Sequence, residues 1–338
     1  MTHWLFRIAS RPESGGGHMR RSLKLVEELL KQGQSCQVFV DPGALHAESP
    51  WKGILTGMGN LQVTEENNHF SSGKLVAQSR ATKNCHVVID HYNVAPHELS
   101  AIRIQSSLSV FDDFGQDDLP ADRFIRQSLI SENSSKDQNS RLVLDGAEFV
   151  LLPIATTPRK RVFSDRQRPQ SILVSAGYRD SINLSAAVLQ AVKKLAVSCK
   201  VTVVLGTAAP HIEEVRKTAS ELPDAELLIA PESMEALYQA HDMAVGTGGV
   251  SMLERIANGL PALVIRQIDN QNRLIHEAEE LGLIKSFSGK DPDQLKHALE
   301  EMLLDPSSLN RMSESGIKTL DSDGAKRLAN ALLENGPT

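Results

Sequence analysis

The chain alternates short apolar runs with segments whose apolar residues recur every three to four positions. The first run, "HWLFRIA" (residues 3–9), reads as a buried strand that ends at a glycine-rich loop. Then "MRRSLKLVEELLKQG" places Leu23, Val26, Leu29 and Leu30 on one helical face, with Gly33 as the stop. "SCQVFVD" follows as a second buried strand, so the first forty or so residues predict a βαβ unit and a parallel sheet. "CHVVIDHY", "SLSVFDDF" and "RFIRQSLI" continue that series as strands.

A second series starts near residue 170. "QSILVSAG" is a strand running into a glycine, and "NLSAAVLQAVKKLA" is a helix with Asn183 or Ser181 as its cap. Strands follow at "KVTVVLGTAA", "AELLIAP", "DMAVGTGG" and "LPALVIRQ", separated by helices at "HIEEVRKTASEL", "SMEALYQAH" and "SMLERIANG". Each half therefore predicts its own doubly wound α/β domain. The expected division is a domain over 1–155, a linker over 156–169, a second domain over 170–315 and a terminal helix over 316–338 that packs on either domain. The linker holds the basic run Arg159, Lys160 and Arg161, expected as a solvated face.

With 338 residues the chain is long enough for two domains, and 41% hydrophobic with 23% charged residues is an ordinary globular balance. The net charge of −6 lacks the basic excess of a nucleic-acid-binding domain, so nucleic acid is not expected as a partner. Cys36, Cys85 and Cys199 are far apart, odd in number and free of any CxxC spacing, which argues against a disulfide framework or a structural zinc. The N-terminus lacks a signal-peptide pattern, and no run approaches the roughly 18 apolar residues of a membrane span. A cytoplasmic protein without stable membrane insertion is expected. The sequence leaves the oligomeric state open, with a monomer as the working expectation.

In open α/β sheets ligands bind beyond the carboxyl ends of the strands. The candidate chemistry gathers at those ends. Gly15, Gly16 and Gly17 permit close approach of backbone to a substrate, and His18 follows at a helix start, where the positive helix end opposes a cationic ring and favours a general base. Asp90, His91 and Tyr92 end one strand; a carboxylate and a phenol there can orient a sugar or the base. Asp112 and Asp113 end another, and paired carboxylates either do acid–base or metal work or cap a turn. At 246–254, "GTGGVSMLE" removes side chains at Gly248 and Gly249 where a strand becomes a helix. Ser251 is expected to cap that helix, whose free N–H groups and dipole suit a diphosphate, and Glu254 can accept from ribose hydroxyls. The segment is not a GxxxxGK[ST] phosphate loop.

The ordered set G-x-G-H-x-x-R, "VIDHY", "VFDD", "GAEFVLLP…R", "ILVSAG-x-x-D", "GTGGVSMLE" and "NQ" resembles the UDP-2,4-diacetamido-2,4,6-trideoxy-altropyranose hydrolases of pseudaminic acid synthesis. Related spore-coat polysaccharide proteins share the pattern. The resemblance covers residues 7 to about 285. It implies the architecture of the lipid II-forming N-acetylglucosaminyltransferases, a two-domain GT-B fold with a cleft between the domains. It implies UDP mainly on the C-terminal domain, with diphosphate near Gly248, Gly249, Val250 and Ser251 and ribose on Glu254. His18 matches the histidine that activates water, Tyr92 the tyrosine of a D-x-Y element, and Asn270 with Gln271 an Asn-Gln pair near the sugar. Arg21, Asp90 and Gly177 lie in the matching motifs. The implied reaction releases UDP by attack of water at the anomeric carbon, with no metal or other cofactor.

Three departures stand out. The family reads R-x-D where this chain has Arg7-Ile8-Ala9, paired glycines where it has Ala176-Gly177, and Cys or Asp where it has Ser22. Three readings follow: a UDP-sugar hydrolase, a metal-independent GT-B glycosyltransferase using a UDP-sugar donor, or a nucleotide-sugar-binding protein without turnover.

Overall fold

The computed structural model describes residues 2–11, 16–59, 61–66, 73–116, 118–131, 141–154, 156–195, 199–266 and 272–334. It divides into two compact units, Met1–Pro153 with Asp323–Thr338, and Ile154–Ser322.

In the N-terminal unit the described strands are β1 (His3–Ile8), β2 (Ser35–Val40), β3 (Gln62–Glu65), β4 (Cys85–Asp90), β5 (Ser107–Phe111), β6 (Arg123–Ile125) and β7 (Leu142–Leu144). The helices α1 (Gly17–Lys31), α2 (Lys52–Gly57), α3 (Lys74–Ala81) and α4 (Pro96–Arg103) lie between them. The sheet order is β3-β2-β1-β4-β5-β6-β7, all parallel. β1 and β4 are buried on both faces, as a strand covered by helices on each side must be. The register levels Ile8 with Val40 on one side and Asp90 on the other, so the carboxyl ends of three strands finish together.

The C-terminal unit repeats the plan with β8 (Ser171–Ser175), β9 (Lys200–Leu205), β10 (Ala225–Ile229), β11 (Met243–Thr247), β12 (Ala262–Arg266) and β13 (Lys285–Ser288). Its helices are α5 (Leu184–Lys193), α6 (Ile212–Ser220), α7 (Met234–Ala240), α8 (Val250–Ala257), α9 (Asn272–Glu280), α10 (Pro292–Leu303) and α11 (Pro306–Thr319). The order is β10-β9-β8-β11-β12-β13, again all parallel. The strand order reverses between β1 and β4 in one unit and between β8 and β11 in the other. These are the switch points where α/β sheets take ligands.

The chain end differs from a single terminal helix over 316–338. α11 already covers residues 306–319, and a separate helix α12 (Gly324–Glu334) belongs to the N-terminal unit. Leu328, Ala329 and Leu332 of α12 are buried in the same core as Leu25 and Leu29 of α1. A Cβ at Gly324 would lie 2.0 Å from the Val150 carbonyl oxygen, so a glycine permits this docking.

Two local expectations are corrected. Asn183 is the N-cap of α5, as one of the two alternatives had it, but its side chain makes no capping hydrogen bond. The buried Asp180 carboxylate accepts from the Leu184 and Ser185 N–H groups at 2.8 and 2.9 Å and fills that helix start with a protein anion. The basic run is not a uniformly solvated face either. Arg159 and Lys160 are exposed, but Arg161 is buried and its guanidinium donates to the carbonyls of Arg159, Tyr238, His241, Asn258 and Gly259. Burial, and then the nearby Arg159 charge, lower Arg161 to about 10. Five backbone acceptors share one fork, so truncation orphans them together. We expect Arg161→Ala to destabilise the C-terminal unit by about 3 kcal/mol or more, read by urea denaturation.

His86 is buried in the N-terminal core, stacked on Trp4 with ring centroids 4.2 Å apart and Nε2 2.8 Å from Ser109 Oγ. Burial, and then the Arg123 charge, hold it well below its ordinary value of 6.5. The unfolded chain therefore binds a proton that the folded ring refuses. This stability is fully present above about pH 6.5 and is lost as pH falls below it. The thermal midpoint should fall between about pH 7.5 and about pH 5.5, with a flatter slope for His86→Gln.

Candidate active site

The site in the N-terminal unit is assembled from three strand ends. Gly16 is the N-cap of α1, and a Cβ there would lie 3.2 Å from the Trp51 ring, so glycine lets the loop pass against the indole. Gly17 opens the helix, which brings His18 and Arg21 onto one side of its first turn. Asp90, the last residue of β4, receives both. His18 Nδ1 lies 2.5 Å from Asp90 Oδ1, and Arg21 Nη2 donates to the same oxygen at 2.6 Å. Arg21 Nε and Ser22 Oγ donate to Asp90 Oδ2 at 2.9 and 2.7 Å. Arg21 also donates through Nη1 and Nη2 to Asp113 Oδ1 and Oδ2, each at 2.8 Å. The guanidinium thus forms a fork on two carboxylates at once, and His18, Arg21, Ser22 and Asp90 are all buried.

Burial alone would raise the Asp90 carboxyl, but the charges of Arg21 and then His18 hold it well below the usual carboxylate range. Asp113 is held down in the same way against its burial, chiefly by Arg21. Arg21 is itself pushed well above its ordinary value, because Asp113 and Asp90 outweigh its desolvation. An ionised Asp90 only accepts, so the short contact from His18 requires the proton on Nδ1. Arg21 Nη2 also approaches that ring nitrogen at 3.3 Å, but two donors do not bond; both converge on Asp90. Whenever the imidazole is neutral, its lone pair is therefore on Nε2. Besides the helix end, Asp90 acts on the ring: it orients the imidazole and stabilises the imidazolium that forms when Nε2 takes a proton.

Tyr92 stands beside the base. Its ring meets His18 edge-on at 4.5 Å, and its hydroxyl donates to Asp113 Oδ2 at 2.6 Å while the residue stays 41% exposed. The two adjacent aspartates do different work. Asp112 pairs with Arg126 Nε at 3.0 Å and accepts from the Phe114 and Gln116 N–H groups, so it organises the turn. Asp113 joins the site. Ser22, where the resembling family carries Cys or Asp, serves as a donor to Asp90. Ala9 carries no carboxylate, but Asp41 beyond β2 puts a fully buried one at the same sheet end. It accepts from Arg7 Nη2 at 2.5 Å, from the Ser10 N–H at 2.7 Å and from His91 Nε2 at 3.3 Å. His91 Nδ1 accepts from the Asn93 N–H, so His91 is a partner of Asp41 and not a second base.

In the C-terminal unit β11 ends at Thr247, and Gly248 and Gly249 lead into α8. Gly249 has φ 81° and ψ −158°, a region that glycine alone enters readily. Ser251 does not cap the helix. The N-cap is Gly249, whose carbonyl accepts from Met252 and Leu253. The N–H groups of Val250 and Ser251 therefore precede the intrahelical ladder and face outward at the positive helix end. Gly177, with φ 82°, follows β8 on the neighbouring strand end. Glu254 is buried, and its Oε2 accepts from Tyr238 Oη at 2.9 Å. Gly15, Asn270 and Gln271 lie outside the described residues.

Sequence reading missed two parts of this arrangement: Asp41, and the double fork of Arg21 on Asp90 and Asp113. "VFVD" ends in an acid just as "VIDHY" and "VFDD" do, and that shared ending was the signal available.

No family model matches the chain. It is 27% identical over 136 residues to the spore coat polysaccharide biosynthesis protein SpsG of Bacillus subtilis (strain 168), covering 40% of each chain. It is 25% identical over 185 residues to the UDP-N-acetylglucosamine–N-acetylmuramyl-(pentapeptide) pyrophosphoryl-undecaprenol N-acetylglucosamine transferase of Glaesserella parasuis serovar 5 (strain SH0165). That match covers 53% of this chain and 52% of the transferase, so the chain spans about half or less of the curated relatives it matches. The Acinetobacter baumannii MurG structure superposes over 99% of this chain and all of its own, with a TM-score of 0.71 at 13% identity. The chain has the GT-B fold. The GT-B fold expected from the motif set accords with these comparisons. Among the described residues no helix is long and apolar enough to cross a membrane.

Arg21 separates a buried anion, Asp90, from a half-buried one, Asp113, and lysine cannot fork onto both. Arg21→Met should cost about 3–5 kcal/mol by leaving Asp90 and Asp113 uncompensated. Arg21→Lys should fold but lose the ring orientation of His18, read as a lowered kcat and a shifted pH–rate profile.

Proposed function

We propose that this protein transfers a sugar from a UDP-sugar donor to a hydroxyl acceptor. The observation that carries the reading is the His18–Asp90 pair: an imidazole with Nδ1 fixed on an ionised carboxylate and Nε2 left as the base. Nε2 removes the acceptor proton as the acceptor oxygen attacks the anomeric carbon. The bond from that carbon to the diphosphate oxygen breaks, and UDP leaves with the electron pair. Asp90 stabilises the imidazolium, a role that supports about 10²–10⁴-fold in rate for a placed base. The N–H groups at the start of α8 suit the charge that develops on the leaving diphosphate. Tyr92, held by Asp113, is suited to steer the sugar or the acceptor. The GT-B fold and the N-acetylglucosamine transferase activity of the Glaesserella relative support UDP as the nucleotide and transfer as the reaction. The similarity to a spore coat polysaccharide protein is consistent with a surface-polysaccharide sugar.

Water as the acceptor is the second reading, favoured by the ordered motif set from the His18 loop to "GTGGVSMLE". The two differ only in which oxygen His18 deprotonates. A panel of UDP-amino sugars, incubated with and without polyol and glycan acceptors and assayed for UDP, tests both. UDP released only with an acceptor supports transfer; release without any acceptor supports hydrolysis. In either case His18→Ala should lower turnover by about 10²-fold or more with little change in donor affinity. A wild-type protein that neither binds UDP nor turns over any donor would refute the proposal.

A further inference from the structure

Arg255 lies on the inner side of α8 and is among the largest fully buried side chains of the molecule. Its side chain runs back towards the helix start, as helical side chains do. Nη1 donates to the Ser175 carbonyl at 3.2 Å and Nη2 to the Thr247 carbonyl at 2.5 Å. Ser175 ends β8 and Thr247 ends β11, the two strands that flank the switch point. The guanidinium therefore sits beneath the turn at Gly248 and Gly249. Gly246 makes room for it: a Cβ there would lie 2.1 Å from Nη1 and 2.2 Å from the Ser175 oxygen. Nε is buried and makes no hydrogen bond. No carboxylate oxygen among the described residues accepts a hydrogen bond from this group, and its neighbour Glu254 accepts from Tyr238.

A buried cation whose hydrogen bonds go only to carbonyls is costly: the nearby Tyr238 and Glu254 offset part of the desolvation, yet burial still holds Arg255 below its ordinary value, and an apolar side chain of the same length would fill the space without that cost. The charge lies below the start of α8, whose N-cap Gly249 carries no side chain, whereas the start of α5 is already filled by Asp180. We infer that Arg255 is a positioning residue that holds the ends of β8 and β11 in place and sets the positive potential of this seat for a diphosphate over a monophosphate or a neutral ligand. The inference rests on the reading of UDP as the ligand. It adds that selectivity for the diphosphate comes from a side chain that never touches it.

Calorimetry on the full chain with UDP, UMP and uridine tests it. Arg255→Met should bind UDP about tenfold more weakly, UMP less so and uridine within about twofold of wild type, because the lost field acts in proportion to ligand charge. Its thermal midpoint should not fall, because an apolar isostere relieves the buried charge. Arg255→Lys keeps the charge and should bind UDP within about threefold of wild type. Equal weakening of UDP and uridine by either variant, or unchanged UDP binding by Arg255→Met, overturns the inference. A wild-type chain that binds no UDP overturns the proposed function, and this inference with it.

Discussion

The N-terminal site depends on one buried guanidinium held between two carboxylates. Asp90 and Asp113 end adjacent strands, and without a cation between them their burial and mutual repulsion would drive protons onto them. Arg21 removes that pressure by forking onto both. Everything else in the site follows from the two carboxylates staying ionised. Asp90 then has only acceptors to offer, which fixes the His18 proton on Nδ1 and the lone pair on Nε2. Asp113 is likewise an acceptor, which orients the Tyr92 hydroxyl. Ser22 takes the last position on Asp90, so a side chain that departs from the resembling family's Cys or Asp still completes the shell.

The two units solve the same electrostatic problem differently. In the N-terminal unit buried cations meet carboxylates: Arg7 with Asp41, and Arg21 with Asp90 and Asp113. In the C-terminal unit Arg161 and Arg255 meet backbone carbonyls instead. Carbonyls offer partial charges only, and the carboxylates that act on these two guanidiniums, Asp242 on Arg161 and Glu254 on Arg255, make no hydrogen bond to them. At Arg161 the field is spread over five acceptors and serves the packing of the unit. Arg255 has two acceptors, and they lie at the ends of β8 and β11 beneath the start of α8. Both sites stand at the reversal of strand order, where helices leave the sheet on opposite faces and open the strand ends.

Much of this was legible in the chain. Apolar runs of five to six residues broken by glycine and separated by amphipathic helices leave no reading but two parallel α/β sheets, because a strand buried on both faces has no polar side to show. The residues at strand ends were legible too, since topology places chemistry there: His18, Asp90, Tyr92 and the Gly248–Gly249 turn all come from that rule. Sequence alone determined the alternation of strands and helices, the two-unit plan and a short list of candidates at strand ends. It could not decide which polar residues pair, because partners such as Arg21 and Asp113 lie 92 positions apart and meet only when β4 and β5 align beside α1. The tertiary structure decided that Asp112 organises a turn while its neighbour Asp113 enters the site. It decided that Arg161 of a basic run is buried, that the Asp180 carboxylate and not the Asn183 side chain bonds the Leu184 and Ser185 N–H groups of α5, and that Ser251 caps nothing. The physical reason is common to all of these. Local periodicity reports which face of an element is buried, but hydrogen bonds and ion pairs are satisfied by whatever the packed sheet brings within 3 Å.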